Sequence, residues 1–201
     1  MLVLGTNNRK KGYELAGLFH PCGAALKTLA DFPIDFEVVE DGKTFADNAR
    51  LKAAGYAKHL SEWVLADDSG LLVDALGGEP GVYSARYSGN DGDDEANNRL
   101  VLERLGDLPL ERRTAQFLCH IAVSDPTGQI VAESEAVCRG RILFEAQGDQ
   151  GFGYDPLFEI VEYHCSFGQL GVGVKAFLSH RSRAASKILP QLIQLADAGK
   201  I

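Results

Sequence analysis

The sequence predicts an α/β fold, a mixed central β-sheet flanked by helices. Three observations carry this. Short apolar runs of strand type are interspersed with segments of helical periodicity. Residues 115–123 and 129–138 flank Asp125-Pro126-Thr127-Gly128 and read as a β-hairpin, which an all-parallel sheet would lack. The chain has 201 residues, 45% of them hydrophobic, enough to bury a core as a single domain over 1–201 or as two lobes sharing that core.

Taken in order, Met1 to Leu4 reads as a short buried strand. Gly5-Thr6-Asn7-Asn8 then turns the chain, and its side chains can cap a helix running to about Phe19. Ile34 to Val39 reads as an extended segment ending in Glu40-Asp41-Gly42. Thr44-Phe45-Ala46-Asp47 has capping-box spacing, with Asp in place of the usual Glu or Gln, and opens a helix to about Leu60. At about 100° per residue, Phe45, Ala49, Ala53, Tyr56 and Leu60 form one apolar stripe. Asn48 and Lys52 lie one turn apart along its edge, and Lys58 falls on the far side. Val64 to Ala66 form a central strand running into Asp67-Asp68-Ser69-Gly70, which reads either as a solvated turn or as the acid-tipped end of a buried strand.

Gly77 to Gly81 break the chain, and Tyr83 to Gly89 form a loop with Arg86 between two aromatics. Asp93-Asp94-Glu95 suits the start of a helix ending near Gly106. In the hairpin, Ala115, Phe117, Cys119, Ile121 and Val123 alternate onto one face. A further strand is expected at Arg141 to Phe144. Gly151 to Pro156 is too glycine-rich for regular structure. Ser179 caps a last helix carrying Ala185, Ile188, Leu189, Leu192, Ile193 and Ala196, kinked by Pro190.

The net charge of −8 argues against wholesale binding to a nucleic-acid polymer or an acidic membrane surface, since both need a basic face. With no run long enough to span a bilayer, the chain reads as a soluble, intracellular protein. Four dispersed cysteines, without CxxC spacing, read as reduced structural thiols.

Chemistry concentrates in a few places. Adjacent carboxylates at the edge of a core repel each other and lose solvation, so Asp67 and Asp68 call for a compensating cation, and a hard divalent ion is the usual one. Arg9, Lys10 and Lys11 occupy a helix start where acids are preferred, and His180 and Arg181 do the same in the last helix. Free amides and cations at one helix start suit an anion or a phosphate. Lys52 can lay its stem on the core and present its ammonium beside the helix. Other motifs fail on spacing. The glycine that a P-loop ending in Gly42-Lys43-Thr44 requires is Glu37. A calcium loop starting at Asp91 would need Gly where Ala96 stands and Glu where Leu102 stands. No Gly-x-Ser-x-Gly elbow occurs.

In order along the chain, six stretches resemble the inosine/xanthosine triphosphate pyrophosphatase family. They are Thr6-Asn7-Asn8 with Lys11; Gly42 to Ala49 with Lys52-Ala53; Ala66 to Leu71; Gly78 to Gly81 with Ser84-Ala85-Arg86; Phe152 to Pro156; and Ser179-His180-Arg181. The chain departs from the family pattern at Asn7, where Gly is usual, at Asp47, where Glu is usual, and over 168–174, which lacks the acidic, helix-like character typical there. The resemblance implies two lobes with a nucleotide cleft between them, a cytoplasmic homodimer, and hydrolysis of ITP, dITP and XTP to the monophosphate and pyrophosphate with Mg2+. It implies that Thr6, Asn7, Asn8, Arg9, Lys10 and Lys11 hold phosphates, that Asn48, Ser69 and Arg86 bind the substrate, and that Asp68, Asp67 and Lys52 are catalytic, Asp68 or Asp67 activating the water and Lys52 assisting at the phosphates. Glu40 and Asp68 would hold the metal. Phe152, Gly153, Tyr154, Asp155, Lys175, His180 and Arg181 would take the base and sugar. His180 and Arg181 offer donors to a 6-keto oxygen, and Phe152 or Tyr154 could stack on the purine. A pyrimidine or modified-nucleotide pyrophosphatase and a non-catalytic nucleotide sensor are the rival readings.

Overall fold

The computed structural model describes residues 1–33 and 35–201, with every side chain there except that of Val172. The elements run β1 (Leu2–Leu4), α1 (Arg9–Phe19), β2 (Leu26–Thr28), α2 (Phe45–Leu60), β3 (Trp63–Val73), α3 (Asp94–Leu105), β4 (Thr114–Ser124), β5 (Ile130–Ile142), β6 (Phe158–Ile160), β7 (Cys165–Ser166), α4 (Phe167–Leu178) and α5 (His180–Asp197). The strands pair in the order β2-β1-β3-β4-β5-β6-β7. β1 runs parallel to β2 and β3, whereas β5, β6 and β7 are antiparallel, so the sheet is mixed. By contact the chain separates into two units. The first comprises Met1–Asp68, Cys119–Ala136 and Arg181–Ile201, and the second Ser69–Leu118 and Val137–His180.

In the first unit, the two-residue period of the strands decides which helix each side chain meets. Leu2, Leu4, Leu65, Cys119, Ile121 and Val123 pack with Leu15 and Phe19 of α1 and with Ala184, Ala185, Ile188 and Leu192 of α5. The intervening residues turn the other way. Val3 and Val64 meet Tyr56 and Ala57 of α2, and Ala66 and Ala122 meet Ala49 and Ala53 of the same helix. Helix α2 starts on the expected capping box, Thr44 Oγ1 accepting from Asp47 N and Asp47 accepting from Thr44 N, each at 3.1 Å.

The second unit is built on the rings of Phe117, Phe158 and Phe167, with Leu71, Val73, Val101 and Leu105 around them. Its anchor is Arg113, only 1% exposed. The guanidinium donates to the carbonyls of Ile142 (2.9 Å), Gly106 (3.0 Å) and Leu143 (3.1 Å), tying the end of α3 and of β5 to the start of β4. Arg113→Met leaves three carbonyls short of a charged donor, and we expect it to lower unfolding stability by about 2–4 kcal/mol. A urea midpoint shift worth less than about 0.5 kcal/mol at unchanged slope would show that water replaces the guanidinium.

Several expectations change. β3 neither turns nor ends at Asp67-Asp68 but runs on to Val73, because cations from other elements compensate both acids. β5 absorbs the start of the strand expected at Arg141 to Phe144. The short strands β2, β6 and β7 were not foreseen. Residues 167–178 are helical despite their glycines. Ser166 and Gln169 form a capping box, and the one break is Gly171 at φ 73°, a left-handed conformation that suits glycine. Ile193 is exposed rather than in the core. The extended segment expected from Ile34 begins outside the described residues, and 35–39 form no strand.

Candidate active site

The alternation that sorts the core also separates the two acids. Asp67 follows Leu65 onto the face of α1 and α5, whereas Asp68 follows Ala66 onto the face of α2. Their surroundings differ accordingly. Asp67 Oδ2 lies 3.1 Å from Arg181 Nε, 3.8 Å from Lys11 Nζ and 3.9 Å from Cys119 Sγ. Burial pushes the Asp67 carboxyl up, but Lys11, Arg181 and Lys52 together outweigh it and hold it well below the usual carboxylate range. Burial, and then the Asp67 charge, push the Cys119 thiol up, so it stays protonated and unreactive.

On the other face, Lys52 Nζ donates to Glu40 Oε2 at 2.6 Å and to Asp68 Oδ1 at 3.2 Å. Burial alone would lower the Lys52 pKa, but Asp68 and Glu40 overcome it and the net direction is upward. Asn48 Nδ2 donates to Asp68 Oδ2 at 3.2 Å, and Asn48 Oδ1 accepts from Gly42 N at 2.9 Å. Asn48 and Lys52, one turn apart on α2, therefore hold one oxygen of Asp68 each. Gly42 is glycine for space: a Cβ there would stand 2.6 Å from Asn48 Oδ1 and from Asp47 Cβ.

At the start of α1, Asn8 Oδ1 accepts from Lys11 N at 3.1 Å, and Thr6 Oγ1 accepts from Asn8 N at 3.2 Å. Asn7, Asn8, Arg9 and Lys10 are exposed, while Lys11 reaches back toward Asp67. Arg181 is only 2% exposed, and its Nη1 lies 2.5 Å from Glu14 Oε2. The helix-start charge of α5 thus meets two carboxylates of the protein itself, where the sequence suggested an opening for an external anion. Burial opposes the Arg181 charge, yet the carboxylates of Asp67 and Glu14 raise its pKa further.

In the second unit, the loop of residues 151–155 is held from several sides. Asp155 Oδ2 accepts from Phe152 N at 2.8 Å and from Lys175 Nζ at 2.6 Å, and that ammonium sits 4.3 Å from the centre of the Phe152 ring. Gly153 N donates to Asp94 Oδ2 at 2.8 Å, and Asn98 Nδ2 donates to Gly153 O at 3.0 Å. Gly151 has φ 81°, and a Cβ there would collide with the Asp155 carboxylate. His180 stacks on Phe117 at 4.7 Å. Tyr154 corrects an expectation. The sequence leaves it open as a ring for the purine, whereas its ring is buried in the core and its hydroxyl donates to Ser84 O at 2.8 Å.

The Ham1 family model matches residues 2–191. The chain belongs to the Ham1 family. The dITP/XTP pyrophosphatase of Rhodopirellula baltica is 54% identical over 197 residues, covering 98% of this chain and 95% of that protein. The structure of the Staphylococcus aureus Ham1 protein superposes with a TM-score of 0.84 at 38% identity, covering 95% of this chain and 97% of that one. A HAM1 protein from Coxiella burnetii gives 0.85 at 32% identity, with 96% and 98% covered.

Within this Ham1 fold, the structure brings Lys11, Asp67 and Arg181 together on one face of β3, and Glu40, Asn48, Lys52 and Asp68 together on the other, both in the first unit. It gathers Phe152, Asp155 and Lys175 in the second, so Lys175 joins the loop although the segment before it is divergent. Ser69 is half-buried on β3, and Arg86 is exposed over the ring of Tyr83. Sequence reasoning missed Glu14, Asp94 and Asn98. Glu14 was findable, three residues after Lys11 on the same helix face. Among the described residues, no three His, Cys, Asp or Glu side chains gather as a metal site. Glu40 and Asp68 nonetheless converge on a single cation from separate elements. That all-oxygen pair is of the donor type a hard divalent ion takes. An open apolar groove of about 650 Å³ beside Phe36, Val39, Leu51 and Ile130 contains none of the predicted site residues. No described helix is long and apolar enough to cross a membrane.

Proposed function

We propose that this Ham1-family chain is a nucleoside triphosphate pyrophosphatase that hydrolyses non-canonical purine nucleotides, dITP, ITP and XTP above all, to the monophosphate and pyrophosphate, as a homodimer. The observation that carries the reading is the Asp68 carboxylate, held by Asn48 and Lys52 and sharing an ammonium with Glu40. A sensor would need no such water-activating carboxylate. The names of the relatives, dITP/XTP pyrophosphatase, support the substrate class.

Glu40 and Asp68 would hold Mg2+, which supplies charge neutralisation on the phosphates when bound. Asp68 takes a proton from the water whose oxygen forms the new bond to the α-phosphorus. The bond from that phosphorus to the bridging oxygen breaks, and its electrons leave with pyrophosphate. Lys11, Lys52 and the first-turn amides of α1 balance the charge on the leaving group, the positioning and electrostatic work that phosphoryl chemistry requires. Asp67 takes no proton here, because its cationic neighbours keep it ionised. The same reading assigns the base to Phe152, Asp155, Lys175 and His180, with donors favouring a 6-keto oxygen over the amino group of adenine.

A panel of dITP, ITP, XTP, ATP, GTP and dUTP with Mg2+, scored for monophosphate and pyrophosphate, tests the proposal. We expect kcat/KM for the first three to exceed that for ATP and GTP by about a hundredfold or more. Release of orthophosphate, equal rates across the panel, or a preference for dUTP would overturn it.

A further inference from the structure

The cation shared by Glu40 and Asp68 belongs to the protein. Lys52 Nζ lies 2.6 Å from one carboxylate and 3.2 Å from the other, and Lys52 is only 8% exposed. Its partners come from the loop before α2 and from β3, so the ammonium is what neutralises two acids that the fold brings together. On its other oxygen Asp68 is held by Asn48, which is fixed in turn by Gly42 N. The carboxylate therefore keeps its place whether or not Lys52 stays.

We propose that Lys52 is a built-in stand-in for the divalent cation: its ammonium occupies the Glu40–Asp68 pair in the resting protein and is released toward the phosphates when metal and nucleotide bind. The inference rests on the reading that these two acids hold the metal. Two cations on the same carboxylates repel each other, so one must leave. A lysine is suited to leave, being a compact charge on a flexible four-carbon stem. The triphosphate offers the released ammonium new anionic partners. Metal binding to the protein alone is consequently weak and becomes strong with substrate present, and linkage makes that coupling reciprocal.

The test is Mn2+ binding to the full chain without nucleotide, read from the electron paramagnetic resonance signal of free Mn2+. Lys52→Met should bind Mn2+ about tenfold more tightly than the wild type, a coupling of ordinary size. Lys52→Arg, which keeps the charge, should not. Equal or weaker binding by Lys52→Met, while Asp68→Asn still abolishes binding, overturns the stand-in and leaves the metal reading intact. Binding that Asp68→Asn does not alter overturns both. A second measurement needs only Lys52→Arg for assignment. In the wild type, the 15N signal of the Lys52 ammonium, protected between two carboxylates, should vanish as Mg2+ is added with tripolyphosphate. A signal unchanged at saturation also overturns the proposal.

Discussion

Asp68→Asn should lower kcat for dITP by about a thousandfold or more, within the range for loss of a general base that also binds the metal. The amide keeps the shape of the carboxylate but loses its charge and its basic lone pairs. Folding should survive, because Lys52 keeps Glu40 as a partner at 2.6 Å and so is not left as an uncompensated buried charge. Steady-state pyrophosphate release and thermal melts on the same preparation separate the two effects. A variant within about tenfold of the wild-type rate at saturating Mg2+ would remove Asp68 from the chemistry.

Arg181→Ala should have the largest effect on stability, about 3–5 kcal/mol, as expected when one partner of a buried ion pair is removed. Asp67, 1% exposed, would lose its 3.1 Å contact, and Glu14 its 2.5 Å one. The pH dependence has a definite sign. The folded Asp67 carboxyl is held below its ordinary value, so its contribution is complete above an unfolded pKa of about 4 and is lost as pH falls through the lower folded value. Without Arg181 the folded pKa rises toward the unfolded one, so the Asp67 share of the acid-side decline becomes smaller. Urea denaturation at pH 7 and in steps down to about pH 3 measures both effects. Because Arg181 acts here through Asp67, kcat/KM for ITP and ATP should fall together. Wild-type stability with a loss confined to ITP would mean that Arg181 reads the base instead.

The helix starts were legible because capping is local. Asn8, Thr44 and Asp93 announce α1, α2 and α3 within four residues, and the side-chain bonds are all present. The alternation of β4 was equally legible, since Ala115, Phe117, Cys119, Ile121 and Val123 are all buried. What escaped depends on distant partners. The three residues of β2 are a strand because β1 runs beside them, and β3 continues through two acids because Lys11, Lys52 and Arg181 arrive from three helices. Nothing near Arg113 in the sequence foretells three carbonyl acceptors. Within the site, family spacing located Asp68, Lys52 and Lys175, but it could not show that Tyr154 belongs to the core or that Arg181 carries Glu14 with it.

The opposite facing of Asp67 and Asp68 gives the sheet an electrical role. Two neighbouring charges on one strand are served by different helices, so the backbone layer works as a partition between the guanidinium that meets Asp67 and the ammonium that meets Asp68. Such a partition tolerates no slip. Deleting a single residue between Trp63 and Ala66 would bring Asp68 into the place of Asp67 beside the guanidinium of Arg181, and Ser69 into the place of Asp68 beside Asn48 and Lys52. Asn48 and Lys52 would then face a hydroxyl where they had held a carboxylate, in a chain whose composition had barely changed.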